Sequence, residues 1–354
     1  MNILSIIVPV YNGEKYLKNL IKSFNEFKSE NVEFVFIDDG SKDNSFEIIN
    51  EYSNLDKRIK LVKKKNGGIC SARNFGIENS NSKYLMFVDQ DDEVNVNNIE
   101  KNLNCILEND YDMVIGSYNI ITKYVDKVKK QHVIYENKKY IDKKDILDLS
   151  LNINRLQIGT TIWNCIYKKE IIDNNNIKFN DKLRFGGEDN LFNFTYMINC
   201  KSIVTNNIIV YDYFRYISGN NTSMKYNENN VSDFLLSIEQ IEKELLQHLE
   251  YDKVKKYISY LYLRGLKNTI NYIIKYSNNR VIDTYLKKCR ILFKNDKLEY
   301  YKKINSKIVK TNNKKYDIYI FVLSKLIFCH LYFIVFLILF FANKFDVTPY
   351  KNSN

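Results

Sequence analysis

Tyr84-Leu85-Met86-Phe87-Val88-Asp89-Gln90-Asp91-Asp92 is the stretch on which the fold turns. A short run of strand-forming residues passes directly into three carboxylates within four positions. The run reads as a buried strand, and its acidic end marks where that strand meets solvent or a ligand. Like charges held so close repel, which costs stability unless a cation shares them. Mg²⁺ or Mn²⁺ takes oxygen ligands and commonly uses one or two carboxylates together with substrate phosphates. Taken alone, the text also fits a solvated acidic turn.

The surrounding sequence repeats the pattern. Leu4 to Val10 reads as a buried strand, and Pro9, lacking an N–H, is expected to stop its ladder. Tyr11-Asn12-Gly13 turns the chain into a helix whose Tyr16, Leu17, Leu20, Ile21 and Phe24 recur at helical spacing. Val32 to Ile37 forms a second strand ahead of Asp38-Asp39-Gly40-Ser41. Asp43 to Ser45 offer caps for a helix carrying Phe46, Ile49 and Tyr52. Ile59 to Val62 is a third strand, and a loop through Gly68 leads to a helix with Ala72, Arg73 and Gly76. Such alternation predicts a parallel sheet with right-handed crossovers, which binds ligands at the carboxyl ends of its strands. Tyr11, Asn12, Asp38, Asp39, Asn66, Gly67, Gly68, Asp89 and Asp91 all fall at that edge.

The 354 residues allow two domains, and 45% apolar residues with 14% aromatics can fill a sizeable core. A formal charge of +11, carried mostly by lysine, suits an anionic partner. No nucleic-acid module is found, so nucleotide phosphate or an anionic membrane surface is expected instead. Six scattered cysteines with no Cys-x-x-Cys, and only three histidines, argue against zinc and against a disulfide framework. Reduced cytosolic thiols follow. The apolar run Ile3 to Val10 is too short for a cleavable signal. Glycine-rich dinucleotide and P-loop cradles are absent. A diphosphate here would need a metal, and Asp89 with Asp91 can hold one.

Four ordered motifs carry a resemblance: Ser5 to Asn12, Phe36 to Asp43, Asn66 to Asn74, and Phe87 to Asp92. Together they resemble glycosyltransferase family 2, the inverting family with the GT-A fold. The resemblance implies a Rossmann-like α/β/α sandwich with a mixed, mainly parallel sheet. Its nucleotide-sugar half would occupy residues 1–110 and its acceptor half 111–226. By the same similarity Pro9, Tyr11, Asn12 and Glu14 line the nucleoside pocket, Asp39 bonds the base, and Asp38 braces the loop. Arg73 and Gln90 would also serve the nucleotide. Asp89 would contact ribose and metal, and Asp91 would ligate Mn²⁺ or Mg²⁺ directly.

Further on, Thr161 to Lys169 and Phe185 to Phe192 match the family's acceptor segment and its Glu-Asp motif. Trp163 is then a sugar-stacking platform or a core filler. Glu188 would face the acceptor and Asp189 would act as general base, although acidic residues also suit a helix start. Tyr213-Phe214-Arg215, with Ser218 and Ser223, resembles the segment closing over the donor phosphates, so Arg215 joins the donor set. The implied partners are a nucleotide-sugar donor, with uridine diphosphate expected, and a glycan or lipid-linked glycan acceptor of cell-surface polysaccharide synthesis. Two other classes fit the strand-end carboxylates. One is a membrane-bound binding subunit without catalysis. The other is a phosphoacceptor domain, which would need an acidic pair after the first strand where Val10-Tyr11-Asn12 stands.

From Phe234, Leu235, Ile238, Ile241, Leu245 and Leu249 onward the pattern is helical and lysine-rich, over residues 227–316. Residues 317–343 are almost wholly apolar, interrupted by Lys325 and His330, and a tail 344–354 follows. A helix from Ile318 to Ala342 is long enough to span a ~30 Å hydrocarbon core, or it can lie in the interface. Lys302, Lys303, Lys307, Lys310, Lys314 and Lys315 precede it, against Lys344 and Lys351 after it. That asymmetry predicts an enzyme on the cytoplasmic face of the cell's inner membrane.

Overall fold

The computed structural model describes residues 2–151, 158–183, 186–216 and 230–251, with residues 253, 254, 257, 258 and 261. The chain divides into two compact units, Met1–Asn221 and Thr222–Asn354.

The first unit is built on one ten-stranded sheet. Its parallel core contains β1 (Leu4–Val10), β2 (Val32–Asp38), β3 (Ile59–Lys63) and β4 (Tyr84–Phe87), in the order β3-β2-β1-β4. Every residue of β1 and β2 is buried, as strands covered on both faces require. Along β2 the side chains alternate. Phe34 and Phe36 join Phe24 of α1 (Glu14–Phe24), with the Phe24 and Phe34 rings stacked at 4.4 Å. Val35 and Ile37 face Ala72 of α3 (Ile69–Glu78) in a separate cluster. Helix α2 (Ser45–Leu55) lies between β2 and β3 in the chain and buries Ser45 and Ile49.

Pro9 behaves in two ways. The ladder with β4 ends at Ile7↔Phe87, whereas the ladder with β2 runs through Pro9↔Ile37 to Val10↔Asp38. The Ile7 carbonyl accepts from Val88 and the Val10 carbonyl from Asp39. Backbone groups alternate sides along a strand, so the Pro9 nitrogen faces the β4 side, where pairing has already stopped. The expected break therefore occurs on one flank only.

After β5 (Glu93–Val94) and α4 (Val96–Asn109), the sheet continues through β6 (Met113–Lys123) and β7 (Val128–Val133). Next come β8 (Lys138–Tyr140), α5 (Lys143–Ser150), β9 (Cys165–Lys168), α6 (Lys169–Asn174), α7 (Glu188–Ile198) and β10 (Ile203–Tyr216). Strand β9 is antiparallel to both β4 and β6, while β6 and β10 are parallel. Antiparallel pairings also join β5 and β8 to β10, and β7 to β6. The sheet is mixed as expected, but beyond its first four strands it is mainly antiparallel. The expected donor and acceptor halves share this one sheet.

In the second unit α8 (Asn230–His248) buries Ile238, Ile241 and Leu245 at helical steps. The helices expected between 262 and 316, the apolar segment 317–343 and the tail 344–354 lie outside the described residues. Among the described residues no helix is long and apolar enough to cross a membrane.

Candidate active site

The carboxyl edge of β1 is stitched to that of β2 by reciprocal bonds. Asn12, at φ 50°, accepts from the Lys42 N–H at 2.8 Å, and its own N–H donates to Ser41 Oγ at 3.0 Å. Gly13 N–H donates to Ser45 Oγ at 2.8 Å. Asp43 accepts from Glu14 N–H at 3.1 Å, and Glu14 accepts from Asn44 N–H at 3.0 Å. Each of these carboxylates thus serves the other helix's start. Glu14, expected beside a nucleoside, is committed to that bracing.

Gln90 clasps the end of β1. Its Oε1 accepts from Tyr11 N–H at 3.0 Å and its Nε2 donates to Tyr11 O at 3.1 Å. Tyr11 is left 44% exposed, so its ring is an open aromatic face at the end of the strand. Pro9 lies buried in the strand behind it. Asp38 is fully buried and accepts from Ser41 N–H at 3.0 Å, the expected brace. Asp39 accepts from Lys64 Nζ at 2.6 Å and from the N–H groups of Gly67 and Gly68 at 3.0 and 2.8 Å. Those donors all belong to the loop that leads into α3.

Arg73, on the inner face of α3, is only 3% exposed. Its Nη2 donates to Asp89 Oδ1 at 3.0 Å and its Nη1 to Asp189 Oδ1 at 2.8 Å, with Glu188 Oε1 at 3.8 Å. The guanidinium also lies 5.3 Å from the Phe179 ring centroid. One buried cation therefore joins the acidic corner after β4 to the first turn of α7.

Burial is the main force raising the Asp189 carboxyl, to about 7. Arg73 pulls the other way, and the charges of Glu188 and Asp89 add to the rise. Asp91 is raised by burial first and then by Asp89. Asp92 is pushed up to about 9 by burial and by Asp89. Asp92 accepts from Phe214 N–H at 2.8 Å and from the Tyr211 hydroxyl at 3.0 Å, and that hydroxyl accepts from Asp89 N–H at 3.0 Å. Tyr211 pins the acidic corner to β10 and was missed in the sequence. The signal was the pairing of Tyr211 and Tyr213, two apart on one strand face ahead of Phe214-Arg215.

Trp163 is 4% exposed. Its ring stacks on Tyr211 at 4.3 Å and lies near parallel to Tyr213 at 5.5 Å, while Tyr118 meets it edge-on at 4.7 Å. Of its two readings the core filler holds, and the acceptor platform is corrected, because no ring face is open to a sugar. Arg215 is exposed at the end of β10, over the Tyr213 ring at 5.2 Å. Phe185 of the Glu-Asp motif, and Ser218 and Ser223, lie outside the described residues. Among the described residues no group of three or more His, Cys, Asp or Glu gathers as a cation site.

A parallel-core sheet with acidic strand ends and a carboxylate facing them from a second segment defines a nucleotide-sugar transferase fold. The family model for glycosyl transferase family 2 matches residues 5–172. Over 294 residues the chain is 30% identical to the poly(ribitol-phosphate) beta-N-acetylglucosaminyltransferase TarP of Staphylococcus aureus, covering 78% of this chain and 85% of that protein. It is 44% identical over 119 residues to an uncharacterized glycosyltransferase of Haemophilus influenzae, and 30% identical over 192 residues to EpsJ of Bacillus subtilis. The chain spans about half the length of those two relatives, 48% and 55%. TarS 1-349 of S. aureus, solved with UDP-GlcNAc, superposes with a TM-score of 0.60 at 24% identity, over 79% of this chain and 77% of that one. That likeness shows the GT-A fold. The chain belongs to glycosyltransferase family 2.

Proposed function

We propose that the protein transfers a sugar from a uridine diphosphate sugar to a hydroxyl of a glycan or lipid-linked glycan, with inversion, in cell-surface polysaccharide synthesis. The observation that carries this reading is the Arg73 bridge between Asp89 and Asp189. It sets a carboxylate suited to the donor against a carboxylate suited to base catalysis. TarP, named for a poly(ribitol-phosphate) acceptor, and TarS, solved with UDP-GlcNAc, support the substrate class.

Arg73 holds Asp189 by Oδ1, and among the described residues Oδ2 accepts no hydrogen bond. That oxygen takes the proton of the acceptor hydroxyl as its oxygen attacks the anomeric carbon from behind. The bond to the donor's diphosphate breaks in the same displacement, and the leaving group departs with the electron pair. Tyr11 offers its exposed ring to the nucleoside, and Arg215 stands at the open end of β10 for phosphate. Asp89 and Asp91 fit a divalent cation: both offer carboxylate oxygens at the same strand end, and burial with the charge of Asp89 raises Asp91, a cost that a shared cation would relieve. A Mn²⁺ or Mg²⁺ ion bound there would neutralise charge on the departing diphosphate. Asp39, with its loop donors, keeps the base side of the pocket in shape.

Titration calorimetry with UDP-GlcNAc, UDP, GDP, CDP and TDP, each with and without Mn²⁺, tests the reading. Binding of uridine nucleotides that tightens with Mn²⁺ is expected. Indifference to all five under both conditions overturns it.

A further inference from the structure

The hairpin joining β6 and β7 is used by nothing described so far. Strand β7 pairs with β6 alone and is exposed along almost its whole length. Its turn is closed by Tyr124 N–H donating to Lys127 O at 2.8 Å. At this tip Val125 is 90% exposed and Val128 64%, and Val125 is the most exposed large apolar side chain among the described residues. Lys123, Lys127, Lys129 and Lys130 surround them, with Asp126 as the one acid between 123 and 130. Among the described residues Lys123, Lys127 and Lys129 form no ion pair, and Lys130 reaches only Asp212, at 3.8 Å. Lys127 lies 5.3 Å from the Tyr124 ring centroid and Lys123 4.3 Å from that of Phe214.

The hairpin is firmly mounted. His132 Nδ1 meets Asn119 Oδ1 at 2.7 Å, and Asn119 Nδ2 donates to Asp212 on β10. Its direction follows from topology. Strand β9 is antiparallel to both β4 and β6, so β4 and β6 run the same way. The turn after β6 therefore lies at the same edge of the sheet as Asp89 to Asp92.

We propose that this hairpin tip docks on an anionic lipid bilayer. Val125 and Val128 enter the headgroup boundary, and Lys123, Lys127 and Lys129 meet lipid phosphates. A soluble polyanion would use the lysines but has no use for two bare valines among them. The proposal rests on the glycosyltransferase reading for its purpose, which is to bring the catalytic edge to a lipid-linked acceptor.

Val125→Trp in the full chain supplies the probe, because the one native tryptophan, Trp163, is buried. Phosphatidylglycerol vesicles should move its emission to shorter wavelength, and lipids brominated on their acyl chains should quench it. Phosphatidylcholine vesicles and soluble polyphosphate should leave it unchanged. Adding Lys127→Glu and Lys129→Glu should weaken the response to phosphatidylglycerol roughly tenfold or more. Unchanged emission from protein that sediments with the vesicles overturns the proposal, as does a response to polyphosphate alone. UDP binding by calorimetry in the same variants reports separately on the enzyme. No lipid response in Val125→Trp with the lysines intact and UDP still bound refutes the docking tip and leaves the transferase reading standing.

Discussion

Arg73 and Asp189 stand 116 residues apart in the chain, yet Nη1 and Oδ1 meet at 2.8 Å. The same guanidinium holds Asp89 at 3.0 Å. A buried Arg must be paired, because its desolvation is otherwise uncompensated. Asp89 and Asp189 supply that pairing, so the donor corner and the candidate base fix each other's position through one cation. Removing either carboxylate's charge leaves the buried Arg73 less well compensated, so it should cost stability as well as chemistry.

Asp189→Asn keeps an oxygen for Arg73 but removes the proton acceptor. Turnover should fall by ~100-fold or more while UDP affinity stays within a few-fold. Steady-state kinetics beside calorimetry check the split. Near-native turnover would remove Asp189 from the role of base.

The donor half was legible because β1, β2 and β4 are mainly apolar runs punctuated by turn residues, and the acidic corner sits where β4 must end. Less could be read where contacts are distant. Helical spacing placed Arg73 on α3 but could not bury it, since its partners come from two other segments. Trp163 looked available to a sugar because Tyr118, Tyr211 and Tyr213, which enclose it, belong to other strands. Strand β10 pairs with β6 through register shifts between Thr205 and Ile209 and again between Ile209 and Tyr211. Those shifts lie just ahead of Tyr211 and break the strand's alternation there, leaving the Tyr211–Tyr213 spacing as the sign of the face that meets Trp163.

Burial raises the Asp189 carboxyl to about 7, against the pull of Arg73. A general base works in its ionised form, so kcat/KM should climb with pH through that region and level off above it. Arg73→Gln removes the one strong lowering influence, so its rising limb should move to higher pH. Near-ultraviolet circular dichroism confirms that the variant is folded before the profile is taken. A limb that stays put, or moves lower, would mean that Asp189 is not the titrating base.

Tyr211→Phe leaves ring stacking on Trp163 intact and deletes one oxygen. Asp92 then loses a donor in a buried setting, and Asp89 N–H loses its acceptor in a part-buried one. Leaving such groups unpaired costs about 1–3 kcal/mol, readable as a lower denaturant midpoint. The acidic corner should also loosen, so KM for the nucleotide sugar should rise more than kcat falls. A stability loss with unchanged KM would reduce Tyr211 to a core residue.

Gly76 sits on the same face of α3 as Arg73, one turn nearer the helix end, where α3 crosses β1. A Cβ added at Gly76 would lie 2.3 Å from Ile7 Cγ2, and Ile7 is fully buried. A fully buried side chain cannot swing aside as an exposed one can, so α3 itself must back away from the sheet. Overpacking of this kind costs about 1–3 kcal/mol, more than alanine's better helix propensity returns. Moving α3 also draws Arg73 off Asp89 and Asp189, so Gly76→Ala should lower activity together with thermal stability. Gly67→Ala is the control. Its added Cβ would meet Ser71 Oγ at 2.6 Å, a hydroxyl that can turn away, with Lys64 Nζ and Ser71 Cβ at 3.0 Å, where a shift of a few tenths of an ångström suffices. Equal losses in the two variants, measured by thermal unfolding and turnover, would show that close approach of α3 to β1 is not what sets the Arg73 bridge.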